Sequence, residues 1–490
     1  MASFQVPVFD TSRFPLSVRA FIGGEFVDST GDEKHSLISS VNDQVLTNEL
    51  QWSNARDVDL AVECSRKGLA LWQAMSNDAR RDALVKYGNL IRQNGEQLHW
   101  LEAVLTGKDA GFCGFEVNAA ADLFIYYGNM IDKFDSEVMA ADEDSIRYTL
   151  RQPWGICAGI CPFNGVIVTL AMKAAPALAC SNSIIIKTSE TNPFSTLFMT
   201  SLAIEAGIPP GALNCLVDGA EAGNALSSHM DIRMISFTGS IGVGKLIQIA
   251  AAKSNLKSVT LELGGKSPII VFSDANLEVV LLAATLFLLM NGQGCALPTR
   301  LYVHESIAEE FIGKVKDMVE GHAKTLGGDP TAASTYSSPL YHHRQKDVVL
   351  SYIESGKVEA KLITGGNAVG EQGCYVEPTI FVDPAPDARV LREEIFGPVL
   401  VVVRFSTDDE VLKLANDTEY GLAASIWTAD MKRALRFANK LEAGSVSVNG
   451  AGGYHPSIPM GGWKQSGQGL ENGKEAMLDW TQLKSVALRG

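Results

Sequence analysis

No apolar run in this chain is long enough to cross a bilayer. The longest, "LEVVLLAATLFLLM" from Leu277 to Met290, falls short of the roughly 20 residues that a spanning helix needs, so it reads as a buried helix. Basic charge is also scarce: 41 Lys and Arg stand against 56 Asp and Glu, a formal net charge of −15. That balance leaves no face to neutralise phosphates or to lie on an anionic membrane, which argues against nucleic acid and membrane as partners. Cysteine is sparse, eight scattered over 490 residues, which excludes a disulfide scaffold and fits a reducing, cytoplasmic setting. Cys157 and Cys161 in "GICAGIC" have no histidine or second cysteine pair nearby. They read as a buried strand, and no metal site is expected. The N-terminal "MASFQVPVFDTSRFPLS" shows no basic segment followed by an apolar one, so no secretory leader is expected. Internal repeats and low-complexity linkers are absent too.

What is present from about residue 150 onward is alternation. "GICAGIC", "SIIIK", "NCLV" and "RMISFTG" read as strands. Between and after them lie the helical segments "VTLAMKAAPALA", "STLFMTSLAIEAG" and "KLIQIAAAKS". Nearly continuous apolar, β-branched strands separated by helices predict a parallel sheet covered on both faces. A second round runs from "SPIIVFSD" to "SVSVNG", and the first 130 residues hold two long helical stretches, "DVDLAVECSRKGLALWQAM" and "RRDALVKYGNLIRQNGEQLHWLEAVL". The fold class is therefore α/β, with two α/β domains and smaller appendages. "DEDS", from Asp142, reads as a solvated turn between hairpin strands.

Five features stand out as candidate chemistry. Cys295 lies in "GQGCALPTR", after the long apolar segment and before a strand-like run. Taken alone, such a cysteine is more often a small buried hydrophobe than a nucleophile. Glu262 sits in the strand-like "VTLELGG"; a carboxylate there is costly unless paired or functional, and burial would suit it to act as a base or to join an ion pair. Asn164 in "CPFNGV" is either a turn former or an amide able to donate to an oxyanion. Lys187 and Glu190 close a strand in "IIIKTSE", where ligands bind in parallel sheets. A carboxylate there could accept from both ribose hydroxyls of NAD and would repel a 2′-phosphate. Gly239, Gly242 and Gly244 fall between strand and helix in "FTGSIGVGK". They suit a phosphate-binding turn, although their order is GxxGxG rather than GxGxxG.

These stretches occur in one order with one set of spacings: "FIGGEFVDS", "LELGGKSP", "GQGC" followed by Arg300, "EEIFGPVL", "PMGGWKQSGQG" and "WTQLKSV". Together they resemble the NAD(P)-dependent aldehyde dehydrogenase superfamily over nearly the whole chain. The resemblance implies a Rossmann-like NAD-binding domain (residues 1–129 and 150–263) and an α/β catalytic domain (264–462). It also implies a small β oligomerisation arm and bridging segments (130–149 and 463–490) that would build a homodimer or homotetramer.

The implied reaction oxidises an aldehyde to the free acid while NAD is reduced, with NADP possible. Cys295 would attack the aldehyde carbon to give a thiohemiacetal, with Asn164 and the Cys295 backbone N–H holding the oxyanion. Glu262 would activate the water that hydrolyses the resulting thioester, and Lys173 and Glu471 match positions that relay protons from that base. Lys187 and Glu190 match the adenosine-ribose contacts. Ser240 matches the pyrophosphate end of a helix, and Gly239 allows the approach. Glu394 and Phe396 match the residues that place the nicotinamide ribose and ring. Ile160, Pro162, Phe163, Ser189, Gly219, Gly223, Phe237 and Leu263 complete the expected cofactor contacts.

The chain departs from the family's W-N-F-P with "FNGV", places Pro298 in the "ALPTR" loop, and carries Leu470 where arginine is common. The substrate tunnel is expected to be lined by Gly165, Thr169, Met172, Leu289, Gly294, Ala296 and Tyr454. That set is apolar and roomy and lacks a basic residue, so an uncharged aromatic or medium-chain aldehyde is expected as substrate. The rival readings are a semialdehyde dehydrogenase, a CoA-acylating member, which would typically lack Glu262, and a non-catalytic scaffold that keeps the fold.

Overall fold

The computed structural model of the chain describes residues 6–140, 144–450, 452 and 454–489. Two large sheets organise it. The first runs in the spatial order Glu25–Val27, Ala20–Ile22, Leu213–Asp218, Ser183–Ser189, Ile156–Ile160, Met234–Thr238, Ser258–Glu262 and Gly467–Gln468, and its five central strands are parallel. The helices around it are α1 (Ala55–Ala74), α2 (Asn77–Gln93), α3 (Gly95–Thr106), α4 (Ala110–Met130), α5 (Val166–Ala179), α6 (Phe194–Ala206), α7 (Glu221–Ser228) and α8 (Ile241–Lys253).

The strand sequences explain the layering. Ile156–Ile160, Ser183–Ser189 and Leu213–Asp218 are buried at every position, as parallel strands covered on both faces must be. One set of side chains (Cys157, Ile184, Ile186, Cys215) packs against Leu84, Phe124, Leu170 and Leu197 of α2, α4, α5 and α6. The alternate set (Ala158, Ile160, Ile185, Leu216) packs against Val58 of α1, Leu226 of α7 and Ile247 of α8.

The second sheet runs Lys361–Thr364, Thr379–Val382, Val399–Phe405, Pro298–His304, Ser267–Val271, Ala423–Trp427, Ser445–Val448. It is parallel apart from its first strand. Separately, Ser145–Pro153 pairs antiparallel with Thr481–Arg489 over its whole length.

Topology places the site. In the first sheet, successive strands step away from Ile156–Ile160 in one direction, and the chain then returns to lay Met234–Thr238 on its other side. The crevice outside the carboxyl ends at such a reversal is where open α/β sheets bind ligands. Asn164 follows one of these two strands and Gly239 follows the other. The amino ends of Ser267–Val271 and Pro298–His304 are reached through the loops that carry Lys266 and Cys295.

Two expectations need correction. The apolar run 277–290 is not one buried helix. It forms α9 (Leu277–Ala284), with Leu282 64% exposed, and then a short helical turn. Leu289, Met290 and Asn291 in that turn leave helical geometry, the last two at φ 49° and 53°. The chain must reverse there to bring the Cys295 loop back to the sheet ends, and a continuous helix could not. The second long N-terminal stretch breaks at Asn94 into α2 and α3, and a further helix, α4, went unread. The expected "DEDS" turn falls largely outside the described residues.

Gly68 on α1 is a packing requirement rather than a propensity choice. A Cβ there would run into the backbone of Gly211 and Ala212. Gly68→Ala is therefore expected to destabilise the fold by about 1–3 kcal/mol, although alanine favours helix by about 1 kcal/mol. Thermal unfolding checks this, and an unchanged or higher Tm would contradict it.

Candidate active site

Glu262 ends the strand Ser258–Glu262, pairing with Thr238 on one side and Gly467 on the other. It is 3% exposed, and neither carboxylate oxygen has a hydrogen-bond partner. Burial pushes its carboxyl well above the usual range, and the nearby Glu471 adds to the shift, while Lys173 opposes it. Lys173, on the inward face of α5, is fully buried. Its three donors are all used: Glu471 Oε1 at 2.6 Å, Ser236 Oγ at 2.8 Å and Thr238 Oγ1 at 2.9 Å. Ser236 also donates to Glu471, at 3.2 Å.

Cys295 is a free, partly buried thiol. Burial pushes it up to about 12, and the charges of Glu394 and Glu262 add to that, against the backbone N–H groups of Cys295 and Ala296, which face the sulfur. Gly265 is required beside it, because a Cβ there would meet the Cys295 carbonyl. Asn164 donates one amide hydrogen to the Gln293 carbonyl at 2.7 Å, which fixes its amide two residues from Cys295 and leaves its second hydrogen for another acceptor. Gln293 in turn donates to the Met290 and Pro339 carbonyls and accepts from the Tyr341 N–H.

The candidate cofactor residues gather along the switch-point crevice. Lys187 is buried at a strand end, with Glu190 3.6 Å from its Nζ and partly exposed. Ser189 beside them bonds Thr191. Ile160 and Phe237 are buried at their strand ends. Ser240 caps α8, accepting from the Val243 N–H. A Cβ on Gly239 would strike the Phe237 ring, and one on Gly244 would strike Leu263. These two glycines therefore let the turn and the helix lie close to the sheet, while Gly242 faces open space. Gly219 borders Trp52, and Gly223, on α7, faces Ile160.

Phe163, next to Pro162, stacks on Tyr341 at 3.7 Å and meets Phe396 edge-on at 5.8 Å. Phe396 adopts φ 55° and is held by the Gln345 amide, which donates to its carbonyl at 2.9 Å. Glu394 accepts the Gly265 N–H at 3.2 Å, and burial pushes its carboxyl up to about 7. Gln293, Tyr341, Gln345, Ser236 and Thr238 were not anticipated from sequence. They reach the site from loops, from the first turn of the helix His343–Glu359 and from the strand Met234–Thr238, none of which carries a local signal.

A cavity of about 580 Å³ opens beside Ala296 and Tyr454, lined also by Phe115, Leu286, Pro298, Ile458 and Met460. Its lining carries no Lys, Arg, Asp or Glu; His455 stands in it. Five of the expected tunnel residues are not in this lining. Gly165, Thr169 and Met172 lie on or beside α5, where Thr169 and Met172 are packed into the interior. Leu289 falls in the non-helical turn, and Gly294 is covered by Leu297 and Met290.

Comparison with known proteins gives first a class and then a family. In fold the chain matches an oxidoreductase solved with NAD+. Its structure matches that of a P. syringae indole-3-acetaldehyde dehydrogenase in complex with NAD+ and IAA, with a TM-score of 0.93 and 36% identity over 98% of both chains. By sequence, the aldehyde dehydrogenase family model matches residues 26–486. Aldehyde dehydrogenase 1 of Tanacetum cinerariifolium is 41% identical, over 96% of this chain and 94% of that one. Aldehyde dehydrogenase, cytosolic 1, of Rattus norvegicus is 40% identical, over 96% and 95%. The chain belongs to the aldehyde dehydrogenase family.

The buried Lys173–Glu471 pair has a stability signature. Lys173→Met strands the Glu471 carboxylate and is expected to cost about 3–5 kcal/mol. Lys173→Met combined with Glu471→Leu is expected to recover most of that. Thermal unfolding of both variants checks this, and losses that simply add would contradict it.

Proposed function

We propose that this chain oxidises an uncharged aromatic or medium-chain aldehyde to the free acid through a covalent intermediate on Cys295. The observation that carries this reading is the placement of Glu262. It is a desolvated carboxylate with no hydrogen-bond partner, close enough to Cys295 for its charge to act on the thiol. The thiol adds to the aldehyde carbon, and its proton passes to a base. The alkoxide that forms takes hydrogen bonds from the second Asn164 amide hydrogen and the Cys295 N–H. NAD, held by the crevice residues, would supply the acceptor for the hydride that leaves that carbon. Glu262 then takes a proton from water, which attacks the thioester carbon; the C–S bond breaks, and the leaving thiolate takes up the proton of the newly formed acid to restore the thiol, leaving a carboxylate product. Lys173 and Glu471 pass the accumulated proton away from Glu262.

The residues present suit NAD. Glu190 offers a partly exposed carboxylate to the ribose hydroxyls, which disfavours a 2′-phosphate, with Lys187 alongside. Gly239, Ser240 and the start of α8 suit a pyrophosphate. Glu394 and Phe396 suit the nicotinamide ribose and ring. Retention of Glu262 supports water rather than CoA as the acyl acceptor. The uncharged cavity beside Ala296 supports the substrate class, as does the indole-bearing aldehyde in the name of the P. syringae relative.

We assign the first sheet and its helices (1–129 and 150–263) to cofactor binding, the second sheet (264–462) to the nucleophile and substrate, and the segments 130–149 and 463–490 to subunit contact. No helix among the described residues is long and apolar enough to cross a membrane, and the proposed setting is the cytoplasm, as a dimer or tetramer.

NADH formation with a panel of aromatic, aliphatic and acidic aldehydes tests this. Cys295→Ala is expected to lower the rate by roughly a thousandfold or more; substantial residual activity would contradict the assignment. A carboxylate-bearing semialdehyde ranking first would overturn the substrate class. Burial pushes the Cys295 thiol up to about 12 and shifts the Glu262 carboxyl upward, toward the protonated acid, and both must lose protons to act. kcat/KM is therefore expected to rise from about pH 6 to about pH 9, and a fall over that range would contradict the roles.

A further inference from the structure

The turn that carries Asn164 is tied on both sides to a buried charge cluster outside the reaction path. Lys108, in the loop between α3 and α4, lies 2.6 Å from Glu102 on α3 and 2.5 Å from Glu116 on α4. All three side chains are at most 4% exposed. From Glu102 the network continues through Asn192, whose amide donates to Glu102 Oε2 at 2.9 Å and to the Phe163 carbonyl at 2.9 Å. Phe163 immediately precedes Asn164. From Glu116, Oε1 faces the Val168 N–H at 3.5 Å, in the first turn of α5. That helix has Gly165 at its N-cap and no side-chain cap of its own. A carboxylate there meets the orphan N–H groups and the positive end of the helix dipole. The same lysine therefore anchors the residue before Asn164 and the helix that starts just after it.

A buried cation between two carboxylates is a weak source of stability, because apolar replacements of similar volume are often neutral or better. It does fix geometry, since each partner can be satisfied in only one arrangement. We propose that Lys108, Glu102, Glu116 and Asn192 act as positioning residues that hold the Phe163–Asn164 turn and the start of α5, and so aim the Asn164 amide at the oxyanion. This rests on the reading of Asn164 as the oxyanion donor. The cluster touches neither substrate nor reacting atoms and acts only through that amide.

Two variants test it: Asn192→Ala, which leaves the charges in place, and Glu116→Gln, which keeps shape and removes a charge. If Glu116→Gln fails to fold, Asn192→Ala decides. Each is made in the parent and in an Asn164→Ala background, and kcat, KM and the NAD dissociation constant are measured. In the parent, kcat/KM is expected to fall about tenfold or more, through kcat, with NAD affinity within about twofold. In the Asn164→Ala background the same changes are expected to cost less than about twofold, because the route they act through is gone. Losses that multiply in that background, a parallel loss of NAD affinity, or no loss in the parent would each overturn the proposal. If Asn164→Ala itself leaves kcat/KM unchanged, the oxyanion reading falls and the clamp falls with it. A large Asn164→Ala effect with silent clamp variants sinks the clamp alone.

Discussion

The dehydration of one carboxylate governs much of this structure. Glu262 closes a strand with both oxygens buried and unpartnered, an arrangement that favours the protonated acid by removing the water that would solvate its charge. The surroundings answer that constraint without cancelling it. Glu471 adds like charge, Lys173 opposes it from α5, and Ser236 and Thr238 hold the lysine in place. A hydrogen bond directly to Glu262 would have made it an ordinary ion-pair partner and a weaker base. Its lack of partners, together with a thiol that burial holds up to about 12, shifts both groups toward their neutral forms.

The architecture makes this burial possible. The strand reversal between Ile156–Ile160 and Met234–Thr238 opens a crevice at the carboxyl ends of the first sheet. The second sheet presents the amino ends of its strands through the Lys266 and Cys295 loops. The proposed base, Glu262, and the proposed nucleophile, Cys295, thus come from different sheets and meet where loops from both close over them. The positive φ at Met290, Asn291 and Gly292 turns the chain so that Cys295 reaches that junction.

Much of this was legible in the sequence. Alternating apolar strands and helices specified two parallel sheets, because period and burial follow from residue type. The strand-embedded Glu262 was visible as a violation of a local rule, and such violations tend to mark function, whereas Cys295 read as an ordinary buried thiol until the ordered set of family-like stretches gave it a role. The cavity wall was legible only at Ala296 and Tyr454: Thr169 and Met172 share α5 with Lys173 but pack inward, and only the tertiary placement of α4 brings Phe115 to the cavity. Gln293, Tyr341 and Gln345 were equally silent, since a glutamine or tyrosine in a loop or a helix's first turn gains meaning only from what lies across from it. The interrupted 277–290 run shows tertiary demand overriding a strong apolar pattern.

In the proposed reaction Cys295 carries the acyl group and Glu262 releases it. Intact-mass measurement of the Glu262→Gln protein after brief exposure to an oxidisable aldehyde and NAD tests this most directly. The expected result is a mass increase equal to the acyl group, mapped by peptide analysis to Cys295 and absent from the parent, which turns the thioester over. An unmodified Cys295 alongside stoichiometric NADH formation, or an acyl group on another residue, would contradict it.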